Sequence, residues 1–234
     1  QKEAVEKGVE FFNSKNKKNV VEVLPTAAGK SLVVANIARQ MDSPTLCLQP
    51  SKELLIQNYN KFVSYGNKAS IYSASVGKKE IGEVTFATIG SIYKKPELFV
   101  DFKYIIIDEC HLVSPREGSM HKSFFEDLNF KLLGLTATPF RLKSYNYPEQ
   151  HSKLNMLNRM RPKIFQDFIY VTQISDMVER GYWAPLKYIE SKFDKSNLIL
   201  NSTGAAYTEQ SIYQSIKNQN TINNHSCHYK KTSV

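Results

Sequence analysis

Three short segments of the chain carry residue types suited to phosphate-ester chemistry. Pro25-Thr26-Ala27-Ala28-Gly29-Lys30-Ser31 follows the aliphatic run Val20–Leu24 and leads directly into an apolar helical pattern from Leu32 to Ala38. Small residues in such a loop let backbone N–H groups turn inward around phosphate oxygens, and the positive end of the following helix dipole points the same way. There Lys30 would reach the β- and γ-phosphates of a nucleotide, and the Ser31 hydroxyl would ligate Mg²⁺. Leu24 stands where the phosphate-loop pattern has its first glycine, and a bare Gly-Lys-Ser is equally the start of an ordinary helix beside a lysine. Further on, the apolar run Tyr104–Ile107 ends in Asp108-Glu109-Cys110-His111. Two adjacent carboxylates after a buried strand repel each other and lose their water, a costly arrangement unless a cation or a reacting water uses them. Asp108 suits Mg²⁺, and Glu109 suits orienting and deprotonating an attacking water; an exposed acidic turn is the plainer alternative. The third segment, Gly134-Leu135-Thr136-Ala137-Thr138-Pro139, ends in hydroxyls two residues apart, on one side of an extended chain. Alone, Thr136 and Thr138 would read as a strand end with local hydroxyl-to-backbone bonds.

These residues need elements to hold them, and the periodicity supplies strands alternating with helices. Val20–Leu24, Thr45–Leu48, Ser70–Tyr72, Val84–Ala87, Tyr104–Ile107 and Leu132–Leu135 are short β-branched or aliphatic runs that predict strands, most of them buried on both faces. Ser31–Met41, Lys52–Tyr65 and the stretch around Phe124–Leu128 carry helical spacing, and the first residues from Gln1 form a charged amphipathic helix. Strand-helix alternation of this kind predicts right-handed crossovers and a parallel sheet, hence an α/β fold. Polar residues thicken at Lys143–Gln150 and Asn197–Gly204, two predicted loops, and Tyr207–Tyr229 is Asn/Gln/Ser-rich with a weak helical period.

Composition narrows the function classes. The 234 residues, 41% apolar and 12% aromatic, are enough for one large domain or one and a half, and argue against disorder. No apolar run reaches the roughly 18 residues of a membrane-spanning helix, and the charged first residues do not resemble a signal peptide. Cys47, Cys110 and Cys227 lie far apart, which argues against a disulfide framework or a paired-cysteine zinc site and for a reducing, cytoplasmic setting. A net charge of +9 makes a polyanionic partner plausible, although the lysines and arginines fall in small scattered groups rather than one basic tail. His225, Cys227 and His228 lack a fourth ligand and read as an exposed helix or loop end rather than a metal site.

The three segments, in this order, resemble motifs I, II and III of the superfamily 2 helicases and translocases, with Asp108-Glu109-Cys110-His111 as a variant of the DEAD/DEAH box. The chain is most similar to the branch named for the type III restriction-enzyme helicase subunit. The resemblance covers roughly residues 1–190 and implies a P-loop NTPase with a RecA-like parallel sheet flanked by helices. It implies that Thr26, Ala27, Ala28, Gly29, Lys30 and Ser31 bind ATP, that Ser31 and Asp108 hold Mg²⁺, and that Glu109 and Lys30 are catalytic. Ala27 stands where many members carry glycine, and Cys110 in the variable place of the box is expected to be packed. His111 resembles the family's link between the γ-phosphate and the strand bearing Thr136 and Thr138. Gln1 matches the glutamine that reads the adenine edge in many members. Pro50-Ser51-Lys52 resembles motif Ia, where a loop and helix N-terminus meet a nucleic-acid phosphate, and Thr88 and Ser91 match a further strand-to-helix turn with phosphate contacts.

The resemblance therefore implies residues 1–190 as the first RecA-like ATP-binding domain and residues 191–234 as a linker toward a second one, the chain being a fragment of a longer protein. The implied activity is ATP hydrolysis coupled to DNA unwinding or translocation, with DNA ahead of RNA as partner, no membrane, and weak activity from the fragment alone. An RNA helicase, or a P-loop ATPase or nucleic-acid-binding scaffold without unwinding activity, is the alternative.

Overall fold

The computed structural model describes residues 1–126, 128–145, 151–184, 197–199 and 207–218. Two compact units are present, one of residues 1–141 and 155–183, the other of 142–154 and 184–234. In the first unit, β1 (Val20–Val23), β2 (Thr45–Gln49), β3 (Ser70–Ser73), β4 (Lys78–Lys79), β5 (Val84–Thr88), β6 (Tyr104–Asp108), β7 (Lys131–Thr136) and β10 (Asp167–Val171) form one sheet in the order β10-β1-β7-β6-β2-β5-β3-β4. All pairings are parallel except β3 with β4. Every predicted strand is present within a residue or two of its expected bounds.

Helices cover both faces, as buried parallel strands require. On one face α1 (Lys2–Asn13), α2 (Lys30–Ala38) and α3 (Lys52–Ser64) bury Ala4, Phe11, Phe12, Val33, Ile37, Leu55 and Phe62 against Val20, Phe86, Ile106 and Leu133. On the other, α4 (Ile89–Ile92), α5 (Met120–Glu126) and the turn at Phe99 cover Val21, Leu46, Ile105, Ile107 and Leu132. Alternate residues of β6, Ile105 and Ile107 against Ile106, thus face opposite layers, which is why its sequence is an unbroken apolar run. Lys131 ties α1 to the sheet by donating to the carbonyls of Phe11, Phe12 and Ser14, satisfying the free end of that helix.

β8 (Phe140–Tyr145) and β9 (His151–Met156) pair in a separate two-stranded sheet, followed by α6 (Ile174–Glu179) in the first unit and α7 (Glu209–Asn218) in the second. β8 corrects the loop expected over Lys143–Gln150: its first three residues are strand, continuing the apolar-polar alternation of Phe140-Arg141-Leu142-Lys143 that the polar count concealed. Residues 146–150, most of the loop expected over Asn197–Gly204, and the His225/Cys227/His228 group lie outside the described residues. No helix among the described residues is long and apolar enough to cross a membrane.

Candidate functional site

The strand order decides what meets what. β1, β7 and β6 are neighbours, so the segments that follow them, separated by scores of residues in sequence, come together along the carboxyl edge of the sheet. That edge is where open α/β sheets hold ligands.

After β1 the chain turns through Ala27 (φ 63°) and Gly29 (φ 85°) before α2 begins at Lys30. The left-handed conformation suits glycine and is strained for alanine, so Ala27 holds the loop against a local cost that glycine would avoid. Leu24 N–H donates to Thr136 O at 2.9 Å, fastening the start of the loop to the end of β7. Gln1, at the N-cap of α1, donates from Nε2 to Ala28 O at 3.0 Å. The amide expected at an adenine edge therefore lies against the phosphate loop itself.

After β6, Glu109 adopts φ 49° and ψ 48° and caps a short 3₁₀ turn over Cys110–Leu112. This strained αL residue breaks the strand and sends the adjacent carboxylates in different directions. Glu109 Oε1 lies 3.2 Å from Lys30 Nζ, and Glu109 Oε2 lies 3.4 Å from His111 Nδ1. Asp108 turns inward, 6% exposed, where Oδ2 accepts from Asn58 Nδ2 at 3.0 Å and Oδ1 from the Glu109 N–H at 3.0 Å. Burial, and then repulsion by Glu109, push the Asp108 carboxyl above the ordinary carboxylate range, against the opposing pull of Lys30 and Asn58. His111 Nδ1 lies 2.8 Å from Thr136 Oγ1. Burial outweighs the attraction of Glu109 and holds its imidazole below the usual histidine range, so the ring is neutral near pH 7. A proton on Nδ1 suits both neighbours, because a carboxylate only accepts and the Thr136 hydroxyl can. Thr136 Oγ1 also accepts from Thr138 N–H at 3.0 Å and lies 3.5 Å from Thr138 Oγ1. Cys110 is fully buried against Gly134 of β7, and its thiol is pushed well above its ordinary range by burial. It is packed, as expected, rather than reactive.

Lys30, Glu109, Asp108, His111 and Thr136 are therefore joined by direct contacts or successive positions, and Thr138 by its bonds to Thr136. The second group stands apart. Ser51 caps α3, accepting from Leu54 N–H at 3.3 Å, with Pro50 and Lys52 exposed beside it. Thr88 Oγ1 and Ser91 Oγ are 2.9 Å apart at the end of β5, and Ser73 Oγ lies 3.1 Å from Thr88 Oγ1. These positions follow β2, β5 and β3, on the same edge of the sheet and farther along it.

Asn58 is the residue that the motifs do not reveal. Its amide also donates to Gln49 Oε1 at 2.7 Å, so one side chain of α3 ties the end of β2 to Asp108. The signal was present as a polar residue on the buried stripe Leu55, Asn58, Phe62. A cleft of about 680 Å³ also opens beside the phosphate loop, bounded by Gln1, Ala27, Ala28, Thr172, Arg180 and Tyr182. Among the described residues no cluster of three or more His, Cys, Asp or Glu gathers for a metal. Mg²⁺ does not need one: it is held by one or two carboxylates with phosphate oxygens and water, and the hard oxygens of Ser31 and Asp108 fit that donor set.

A family model described as "Type III restriction enzyme, res subunit" matches residues 1–141. The chain is 33% identical over 131 residues to the DNA 3'-5' translocase XPB2 of Sulfurisphaera tokodaii, covering 54% of this chain and 28% of that one. It is 30% identical over 125 residues to the African swine fever virus protein QP509L, named as an ATP-dependent RNA helicase, covering 50% of this chain and 24% of that one. The matches thus span about a quarter of those relatives' length. Among solved structures, the UvsW helicase of bacteriophage T4 superposes with a TM-score of 0.52 at 24% identity, over 71% of this chain and 58% of that one. The Type ISP restriction-modification enzyme LlaGI gives 0.51 at 18% identity, over 78% and 20%. These two likenesses show the fold, a RecA-like sheet of the helicase kind.

Proposed function

The chain belongs to the family of the type III restriction enzyme res subunit, and from that membership we propose that it is the first motor domain of a superfamily 2 DNA translocase or helicase. The observation that carries this reading is the convergence of Lys30, Asp108, Glu109 and the His111–Thr136 contact at the ends of three adjacent strands.

The geometry supports the following roles. Backbone N–H groups at the start of α2 and the Lys30 ammonium bind the phosphates, with Thr26, Ala27, Ala28 and Gly29 shaping the loop around them. Mg²⁺, when bound, would neutralise phosphate charge, and Ser31 and Asp108 are the residues to hold it. Glu109 orients a water and takes its proton as the water oxygen bonds to the γ-phosphorus and the bond to the ADP oxygen breaks, releasing inorganic phosphate. His111, between Glu109 and Thr136, makes the state of the carboxylate felt at the end of β7 and at Thr138. Pro50, Ser51, Lys52, Thr88 and Ser91 form the strip that would meet a nucleic-acid backbone, phosphate contacts being the ones that position a strand. DNA is the partner proposed first, since the XPB2 relative is a DNA translocase; the RNA helicase name of QP509L supports the alternative. Binding of each nucleic acid across a salt series separates the two. The buried free thiols of Cys47 and Cys110 suit a cytoplasmic setting.

Lys30→Ala tests the site. It should remove detectable Mg-ATP binding in calorimetry and leave the thermal transition near that of the unchanged chain, because Lys30 serves an anion site and not the core. Unchanged affinity would refute the phosphate-loop assignment.

A second RecA-like domain is the further partner proposed, closing over the nucleotide and bringing arginines to the γ-phosphate. Such arginines contribute roughly 10³–10⁵ in rate. The 234-residue chain alone is therefore expected to hydrolyse ATP barely, with no stimulation by DNA or RNA. Robust nucleic-acid-stimulated turnover by the purified chain would show that one domain holds a complete site.

A further inference from the structure

Beyond the phosphates, a nucleotide presents a base and a ribose, and the cleft beside the phosphate loop has the volume for them at about 680 Å³. One wall comes from elements outside the recognised motifs. β10 pairs with β1 in parallel, and Thr172 N–H donates to Val23 O at 2.9 Å, so the chain leaving β10 runs beside the chain leaving β1 into the phosphate loop. It then forms α6, whose end is closed by Gly181 N–H to Val178 O at 3.0 Å and Tyr182 N–H to Met177 O at 2.9 Å. This paired closure needs a left-handed residue, and Gly181 provides it at φ 71°.

The closure fixes the backbone of Tyr182, yet the residue is left 72% exposed while lining the cleft. The residue at this position of such a closure commonly packs back onto the helix; here a large aromatic residue is left open to solvent instead, in the cleft that Ala27 and Ala28 also line. Gln1, the other candidate for base recognition, has its amide committed to Ala28 O. An aromatic face at the mouth of a polar, nucleotide-sized cleft is a stacking surface, and stacking accepts any base because every base has a π-face.

Resting on the nucleotide reading above, we propose that Tyr182 is the platform on which the nucleobase stacks, so that the β10–α6 segment supplies part of the nucleotide site. The ring touches the base and does no chemistry, so it should contribute to affinity for nucleotides and not for bare phosphate chains. Calorimetry on the full 234-residue chain with Mg-ATP and with Mg-tripolyphosphate separates these. Tyr182→Ala should weaken ATP binding about tenfold, the scale of one lost base-aromatic stack, and leave tripolyphosphate binding unchanged, with Tyr182→Phe restoring ATP affinity. Equal ATP affinity in Tyr182→Ala and the unchanged chain overturns the proposal, and so does parallel loss of ATP and tripolyphosphate. Lys30→Ala keeps the two readings distinct: a chain in which Lys30→Ala loses both ligands and Tyr182→Ala loses neither refutes the platform alone, whereas Lys30→Ala without effect refutes the phosphate loop.

Discussion

In the complete protein, Glu109→Gln is expected to keep nucleotide affinity and to lower turnover by roughly 10²–10⁴-fold, the usual contribution of a positioned general base. The substitution preserves shape and leaves one oxygen, enough for Lys30 or His111 but not for both, and it removes the group proposed to take the proton from water. It also releases Lys30 from its ion pair at 3.2 Å. In the nucleotide-free protein that pair competes with phosphate for the lysine, so affinity for Mg-ATP in the variant should equal or exceed that of the unchanged protein. Asp108→Asn should behave in the opposite way, weakening Mg²⁺-dependent binding, because it removes charge from the buried carboxylate that Asn58 steadies. Rapid-quench turnover together with calorimetry checks both variants. Full hydrolysis by Glu109→Gln would remove Glu109 from its role.

The second large effect concerns stability and comes from a residue outside the site. Glu22 stands in the middle of β1, 0% exposed, beneath Gly8 and Ile37, and neither carboxylate oxygen has a hydrogen-bond partner. Burial raises its carboxyl from the ordinary 4.5 to about 8. The folded chain therefore holds Glu22 neutral across a range in which the unfolded chain ionises it. The contribution to stability is complete below about pH 4.5 and is lost as pH rises toward 8. At about 1.4 kcal/mol per pH unit the loss amounts to at most about 5 kcal/mol across that window. Glu22→Gln keeps the shape and cannot ionise. Urea midpoints at pH 5 should be similar for the two proteins, and at pH 8.5 the variant should be the more stable. Parallel pH profiles would show that Glu22 is not held neutral in the fold.

Much of the architecture was legible in the residues because its signals are local. Tyr104–Ile107 is apolar at every position, and only a strand covered on both faces accommodates such a run without exposing it. Gly29-Lys30-Ser31 following a strand specifies a turn and a helix start within one loop. β10 was not legible: its residues run exposed, half-buried and exposed again at the sheet margin, so Asp167–Val171 shows no clear period. β8 was hidden by Lys143 and Ser144, two polar residues in its second half.

The sequence by itself determined which residues could do the chemistry, since a phosphate loop, a pair of adjacent carboxylates and two hydroxyls at strand ends are each written within a few consecutive positions. Only the tertiary structure decided that they meet. Periodicity along a chain carries no information about strand order, and it is the order β10-β1-β7-β6 that sets Lys30 against Glu109 and His111 against Thr136. The same order draws Thr172 and Tyr182 to the phosphate loop across nearly the whole length of the first unit. Asn58 belongs to this second class: its contact with Asp108 spans 50 residues and exists because α3 packs over β2, the strand paired with β6. Non-local pairing of this kind depends on how whole faces pack, and that is settled by the buried surfaces together rather than by any one segment.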